Sequence, residues 1–202
     1  MAIGWEGNKK EFGTSHQSPP VQQNAVKIRD AEGFIGKSLP FGIAPMMICM
    51  LAVFLKAFTS KEAPISPIYL VPAFLIGFMI ALPIHEFAHA VCYPKEATVW
   101  VGLCVRKMQA WAISYHPLTK RRFICMSLAP ALLGIIPLIG IIFIPITMKP
   151  LLTICVVSAF MGLISPAPDY MDVINVMRKV PKGAVICDSQ DGLYAYLSSI
   201  GG

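Results

Sequence analysis

Long apolar runs separated by short polar segments dominate the pattern along the chain. The runs cover residues 41–58, 64–93, 123–148 and 151–168. Each comes close to or exceeds the length of apolar sequence that indicates a helix crossing a lipid bilayer, about 18 residues. The pattern therefore predicts an all-α membrane protein with about four transmembrane helices.

A different pattern separates the second run from the third. Residues 97–117, ATVWVGLCVRKMQAWAISYHP, are rich in Val, Trp, Ile and Tyr, and polar residues interrupt them at 106–109. This pattern predicts a small β-hairpin, which we expect at the membrane surface. Its strand edge could pair with an extended peptide, or the hairpin could simply pack on the helices; both interpretations stay open.

The two ends of the chain are more polar. Residues 1–38 contain no apolar segment of the kind found in signal peptides and include GTSHQSPPVQQN, so we expect a flexible cytoplasmic lead. Residues 39–202 are expected to form one integral membrane domain. Its tail after the last helix is expected to contain one short strand, GAVIC.

Composition and charge support the membrane interpretation. The chain is 55% hydrophobic and only 14% charged, which is too apolar for an ordinary soluble domain. With four spans and a cytoplasmic N-terminus, 14 of the 17 lysines and arginines lie on the cytoplasmic side, as the positive-inside rule requires. Nothing indicates nucleic-acid binding. The six cysteines form no CxxC pair and are expected to be reduced.

The motif HEFAH places ionisable residues inside the second apolar run. His85 and His89 are spaced i, i+4, which puts both imidazoles on one helix face at the spacing that binds one Zn²⁺. Glu86 follows the first histidine and would project beside the metal, where it could take a proton from a zinc-activated water. Because ionisable residues in a transmembrane segment are costly, they indicate function.

A zinc ion held by two histidines needs a third protein ligand. Asp169 and Asp172 in SPAPDYMD lie at the end of the fourth run, on the same predicted membrane side as the histidines. We favour Asp169, because it lies deeper and beside Pro168, where the helix is expected to break and restart. Asp172 would then cap the helix or orient a histidine. Cys92 and His116 are rival ligands, expected to be an inert thiol and a solvated or substrate-side residue.

These features resemble the intramembrane zinc metalloproteases of the site-2 protease type, although PAPD here lacks the glycine that follows the aspartate in one form of their motif. The layout is more similar still to the putative zincin peptidase family of small bacterial membrane proteins. That resemblance covers residues 65–195 and is carried by HEFAHA, YHPLTKRRF, LAP and an aspartate before VPKGAVICD.

The resemblance implies peptide-bond hydrolysis at or within the bacterial cytoplasmic membrane, with the active site toward the cytoplasm. Zinc would be held by His85, His89 and Asp169, and Glu86 would be the general base that later returns the proton to the leaving amine. The expected partners are the lipid bilayer and a peptide or transmembrane-helix substrate, with no nucleic acid. Substrate identity and oligomeric state stay open.

Two functions of other classes compete with this one. A non-catalytic membrane protein could carry a structural or sensory metal site, which four protein ligands would close, with Cys92 or Asp172 completing it. A metal or proton transporter would carry ionisable residues at several membrane depths, whereas here they cluster at one end. Dependence on Glu86 separates catalysis from a structural or sensory site.

Overall fold

The structure, a computed structural model, describes residues 1–9, 15–107 and 109–197. Its helices follow the apolar runs. A helix satisfies the hydrogen bonds of its own backbone, which an apolar segment in lipid requires. Single 3-10 turns extend several of them. The α-helices within the described residues are α1 (Phe34–Ser38), α2 (Ile43–Ser60), α3 (Leu70–Val91), α4 (Lys120–Leu128), α5 (Leu132–Phe143), α6 (Lys149–Ile164) and α7 (Ala167–Lys179).

Four helical segments are long and apolar enough to cross a membrane, as predicted. Many of their large apolar side chains are exposed, such as Phe54 and Phe143, which suits a lipid environment. The membrane side that each end faces stays a prediction. Within the described residues the four candidates are Ile35–Ser60, Pro67–Val91, Lys120–Phe143 and Lys149–Lys179.

The prediction of an all-α protein is wrong, because strands form two sheets. One sheet has the order β1-β3-β4 and the other has the order β2-β7-β6-β5. All the described pairings are antiparallel except that of β1 with β3. The strands are β1 (Ala2–Asn8), β2 (Val26–Asp30), β3 (Thr98–Cys104), β4 (Gln109–Ile113), β5 (Leu118–Thr119), β6 (Ala184–Ser189) and β7 (Gly192–Leu197).

Two of the predicted β elements are present. Strands β3 and β4 form the hairpin expected within residues 97–117, with Trp100 opposite Ile113 and Cys104 opposite Gln109. Residue 108 of the predicted turn lies outside the described residues. The GAVIC segment lies mostly in β6. The position of the hairpin at the membrane surface stays a prediction.

The segment 1–38, expected to be a flexible lead, contributes strands β1 and β2. The β2 sequence VKIRD alternates apolar and polar residues but has only five residues, and the β1 sequence AIGWEGN contains two glycines, so neither predicts a strand strongly. Both strands carry exposed apolar residues, including Trp5 and Val26. Their hydrogen bonds come from β3 and β7, far along the chain. Residues 10–14 lie outside the described residues, and the cytoplasmic location of the segment stays a prediction.

The chain divides into two compact units. The first, which we call the sheet unit, comprises residues 1–38, 86–129 and 168–202. Its core joins the end of α3, α4 and α7 to both sheets through Tyr93, Val99, Phe123, Val176 and Ile186. This core fixes the helix ends that carry most of the candidate site.

The second unit, the helical unit, comprises residues 39–85 and 130–167. Helices α5 and α6 cross closely at Gly134 and Gly162, where the backbones leave no room for a side chain. The Lys56 ammonium donates to the carbonyls of Ile142 and Ile144, which satisfies the end of α5. Small residues at crossings and satisfied helix ends are what apolar helices need in lipid.

Candidate metal centre

Helix α3 carries His85, Glu86 and His89 in its last two turns. The division between the two units falls between His85 and Glu86, inside this continuous helix, so one helical turn sets the spacing of the histidines. The helix ends at Val91, where the backbone N–H of Cys92 donates to the carbonyl of His89 at 3.1 Å. Pro94 follows and cannot continue the helix.

A backbone carbonyl of α4 fixes the ring of His89. This histidine is 9% exposed, and its Nδ1 lies 3.1 Å from the carbonyl oxygen of Met126. Because a carbonyl only accepts, Nδ1 must donate the proton. When the ring is neutral, Nε2 therefore presents a lone pair, which is the arrangement usual in histidines that bind metal.

Helix α4 is held against the end of α3 by a second contact. The Arg122 guanidinium donates from Nε to the carbonyl of Cys92 at 2.8 Å, and a cation suits the negative end of the α3 dipole. Thr119 caps α4 by accepting from the N–H of Arg122. These bonds hold the Met126 carbonyl in place for His89.

Asp169 lies in the first turn of α7. Helix α6 ends at Ile164 and α7 begins at Ala167, so the chain breaks at the fully buried Pro166, slightly before the break expected beside Pro168. A carboxylate at a helix N-terminus interacts favourably with the helix dipole. The Asp169 side chain is 22% exposed, which leaves it accessible to an ion and to water.

The structure brings His85, His89 and Asp169 together. One ligand atom from each lies within 4.8 Å of the other two. His89 Nε2 and Asp169 Oδ2 are 3.5 Å apart. Both atoms can carry a lone pair, so this arrangement is stable only with a proton or a metal ion between them. Tetrahedral zinc with bonds of about 2.0–2.2 Å would separate its ligand atoms by about 3.3–3.6 Å. The donor set therefore suits zinc, and the His89–Asp169 separation matches this spacing.

Glu86 is partly buried on α3, and its charge lies within electrostatic range of the His89 ring. It adjoins the group without belonging to it, because the ligand atoms come from the two histidines and Asp169. Three protein ligands leave a coordination position for water or substrate, as in catalytic zinc sites. A carboxylate beside such a position can act as a general base.

The rival ligands lie elsewhere. Both Asp172 carboxylate oxygens accept from Arg29 Nε, at 2.8 and 3.0 Å. Cys92 packs against the core of the sheet unit, and burial raises the pKa of its thiol, which disfavours the thiolate that binds metal. The N–H of His116 donates to Ser114 on the segment after β4. None of the three rivals belongs to the ligand group.

Sequence reasoning missed Arg29. It lies in β2, within the segment expected to be a flexible lead, and 143 positions separate it from Asp172. No motif or spacing in the sequence links two residues so far apart. Only the fold reveals that this arginine pairs with Asp172, which lies one helical turn from a candidate metal ligand.

Comparison with known proteins places this site within a family. Residues 78–185, more than half of the chain, match the family described as "Putative zincin peptidase". The match includes the HEFAH motif as well as Asp169. No curated protein and no solved structure matches the chain.

Proposed function

The chain belongs to the putative zincin peptidase family, and on this premise we propose that it is a membrane-embedded zinc metallopeptidase of the HExxH type. It would hydrolyse peptide bonds of membrane-associated or transmembrane substrates. The family suggests a metallopeptidase, and four apolar helices suggest a membrane protein. The grouping of His85, His89 and Asp169 is the observation that carries the proposal.

In this proposal His85, His89 and Asp169 hold the metal. Bound zinc would supply a Lewis acid that polarises a water molecule and the scissile carbonyl. His89 Nδ1 keeps its proton and donates it in a hydrogen bond to the Met126 carbonyl, so that Nε2 remains directed toward Asp169. Such an outer contact orients a ligand and raises its basicity.

Glu86 is the proposed general base. Its carboxylate accepts a proton from the attacking water and then delivers that proton to the leaving nitrogen, so one residue serves both halves of the reaction. Its position directly after His85 supports this role, since the side chain projects from the helix turn that carries the ligands.

The proposed substrate is an extended stretch of polypeptide. A transmembrane helix must unwind before a carbonyl is open to attack, because its carbonyls are hydrogen-bonded. Strand β4 pairs on one side with β3 and, within the described residues, lies at the edge of its sheet. Such an edge can take up an unwound peptide by strand addition.

The proposed location is the bacterial cytoplasmic membrane, with the N-terminus and the site toward the cytoplasm. The excess of Lys and Arg in the segments assigned to that side supports it. The orientation can be tested by placing single cysteines in the polar loops of the protein and labelling them in intact cells.

The decisive experiment measures zinc content and cleavage of a panel of membrane peptides by the full chain purified in detergent. We expect Glu86→Gln to keep zinc and lose about 100-fold or more of its activity, since general-base catalysis contributes that much. Asp169→Asn is expected to lose zinc. The exposed Glu96→Gln serves as the matched control and should change neither quantity.

A different result would favour the non-catalytic alternative. If the wild type binds zinc but cleaves nothing, and Glu86→Gln behaves identically, then the site is structural or sensory. If Asp169→Asn keeps zinc, the third ligand is another residue.

A further inference from the structure

An ion pair within the sheet unit connects the N-terminal segment to the helix that carries Asp169. Arg29 in β2 donates from Nε to both carboxylate oxygens of Asp172, at 2.8 and 3.0 Å. The two side chains are only 14% and 11% exposed. A charge pair this withdrawn from water is a strong constraint, because removing one partner strands the other charge.

The geometry of α7 transmits this constraint to Asp169. Asp172 follows Asp169 by three residues, so the two side chains lie on neighbouring positions of one helix face. Fixing one of them therefore sets the rotation of the helix about its own axis, and with it the direction of the other. The Asp169 Oδ2 to His89 Nε2 distance of 3.5 Å depends on that rotation.

A second contact between the same two elements acts further along α7. The Lys179 ammonium donates to the carbonyl of Ile28, the neighbour of Arg29, at 3.1 Å. Strand β2 thus holds α7 at two points about two helical turns apart. Two such points determine both the register and the rotation of the helix.

Arg29 also decides which carboxylate faces the metal position. Without the guanidinium, the Asp172 carboxyl would lose the partner that holds it, one turn from the ligand group, where a carboxyl oxygen could compete with Asp169 for the metal. Engaging both of its oxygens leaves Asp169 as the carboxylate directed at His89. From this geometry, and resting on the proposed function, we propose that Arg29 is a positioning residue that selects and orients Asp169 as the third zinc ligand.

Strand β2 has other anchors, so replacing Arg29 should act on α7 and leave the strand in place. It pairs with β7 from Val26 opposite Ala195 to Asp30 opposite Gly192. Ile28 is 4% exposed in the core of the sheet unit. A loss of zinc affinity in an Arg29 variant would therefore report the position of α7.

The test measures zinc affinity of the full chain in detergent, by competition with a chromophoric chelator, together with the visible spectrum of the cobalt-loaded protein. We expect Arg29→Gln to bind zinc about 10-fold more weakly, the lower end of the range for residues that contact a metal ligand directly, because Arg29 acts on Asp169 through Asp172. Asp172→Asn should weaken it similarly, and the double variant should be no weaker than either single one, because the two residues act as a unit. Arg29→Lys keeps a positive charge but lacks the planar guanidinium, so its zinc affinity should lie between those of the wild type and Arg29→Gln.

Lys27→Gln is the matched control, because Lys27 lies on the same strand and pairs with Asp30 and Asp191 on the surface. It should leave zinc affinity and the cobalt spectrum unchanged. If Arg29→Gln does not fold, the apolar pair Arg29→Met with Asp172→Leu removes both buried charges at once. We expect that variant to fold and to bind zinc weakly with an altered cobalt spectrum.

The outcomes separate this inference from the proposed function. A wild type that binds no zinc would overturn both. A wild type whose zinc is lost in Asp169→Asn but is bound equally well by Arg29→Gln and Lys27→Gln would overturn the inference alone. Full zinc affinity in the apolar double variant would overturn it as well.

Discussion

The close crossing of α5 and α6 in the helical unit leaves no space for an added methyl group at Gly162. A Cβ added at Gly162 would lie 2.5 Å from the Gly134 nitrogen and 2.6 Å from the Leu133 carbonyl carbon. Carbon atoms need about 3.4 Å or more to be in ordinary contact. Because both obstacles are backbone atoms, no side chain can turn aside, and the helices would have to separate by about 1 Å.

The change Gly162→Ala therefore combines two opposing effects. Alanine gains about 1 kcal/mol of helix propensity over glycine. Overpacking costs about 1–3 kcal/mol, and the rigid neighbours place this site at the upper end. We expect a net loss of about 2 kcal/mol in the free energy of unfolding, which corresponds to a fall in Tm of about 4–8 °C for a chain of this length.

The assay is thermal unfolding in detergent followed by circular dichroism, with Gly36→Ala as the control. A Cβ at Gly36 in α1 would meet open space, so this variant should unfold at the wild-type temperature or slightly above it. A Gly162→Ala variant as stable as Gly36→Ala would show that the two backbones do not cross this closely.

Two further predictions concern the sheet unit. Burial raises the pKa of Asp188 to about 6, above the ordinary 3.8, so its ionisation destabilises the fold as pH rises from about 4 to 6. The free energy of unfolding of Asp188→Asn should match that of the wild type near pH 4 and exceed it by up to about 3 kcal/mol at pH 8. A difference in Tm that does not change with pH would contradict this. Lys120→Met removes two hydrogen bonds to carbonyls at the end of α7 and should lose about 1–2 kcal/mol of stability, whereas the exposed Arg121→Met should not.

Features that depend on local periodicity could be predicted from the sequence. The spacing of His85 and His89 becomes a shared helix face wherever a helix forms, and the apolar runs made α3 a helix. The limits of the runs were less reliable. The third run predicts a span that continues to residue 148, but α5 ends at Phe143. Pro145 disfavours a helical conformation at Ile144, which is extended.

Features that depend on distant residues could not be predicted. Asp169 and Asp172 share one helix face, so the sequence could only favour the deeper one. What distinguishes them is their partners, because Asp172 pairs with Arg29, whereas Asp169 faces His89. Strand β1 was missed for a similar reason, since its pairing with β3 joins residues nearly a hundred positions apart. Its Gly4 and Gly7 also lower the strand propensity of the segment.

Helix α4 shows why a motif can indicate candidate ligands without indicating the residues that support them. Arg122 donates to the Cys92 carbonyl at the end of α3, and Lys120 donates to carbonyls at the end of α7. The Met126 carbonyl accepts from His89. All of these bonds end on the main chain, and any residue type at position 126 would provide the same carbonyl. The orientation of His89 is therefore encoded in the packing that places α4, and a substitution that displaces this helix would disturb the ligand without altering any residue of the motif.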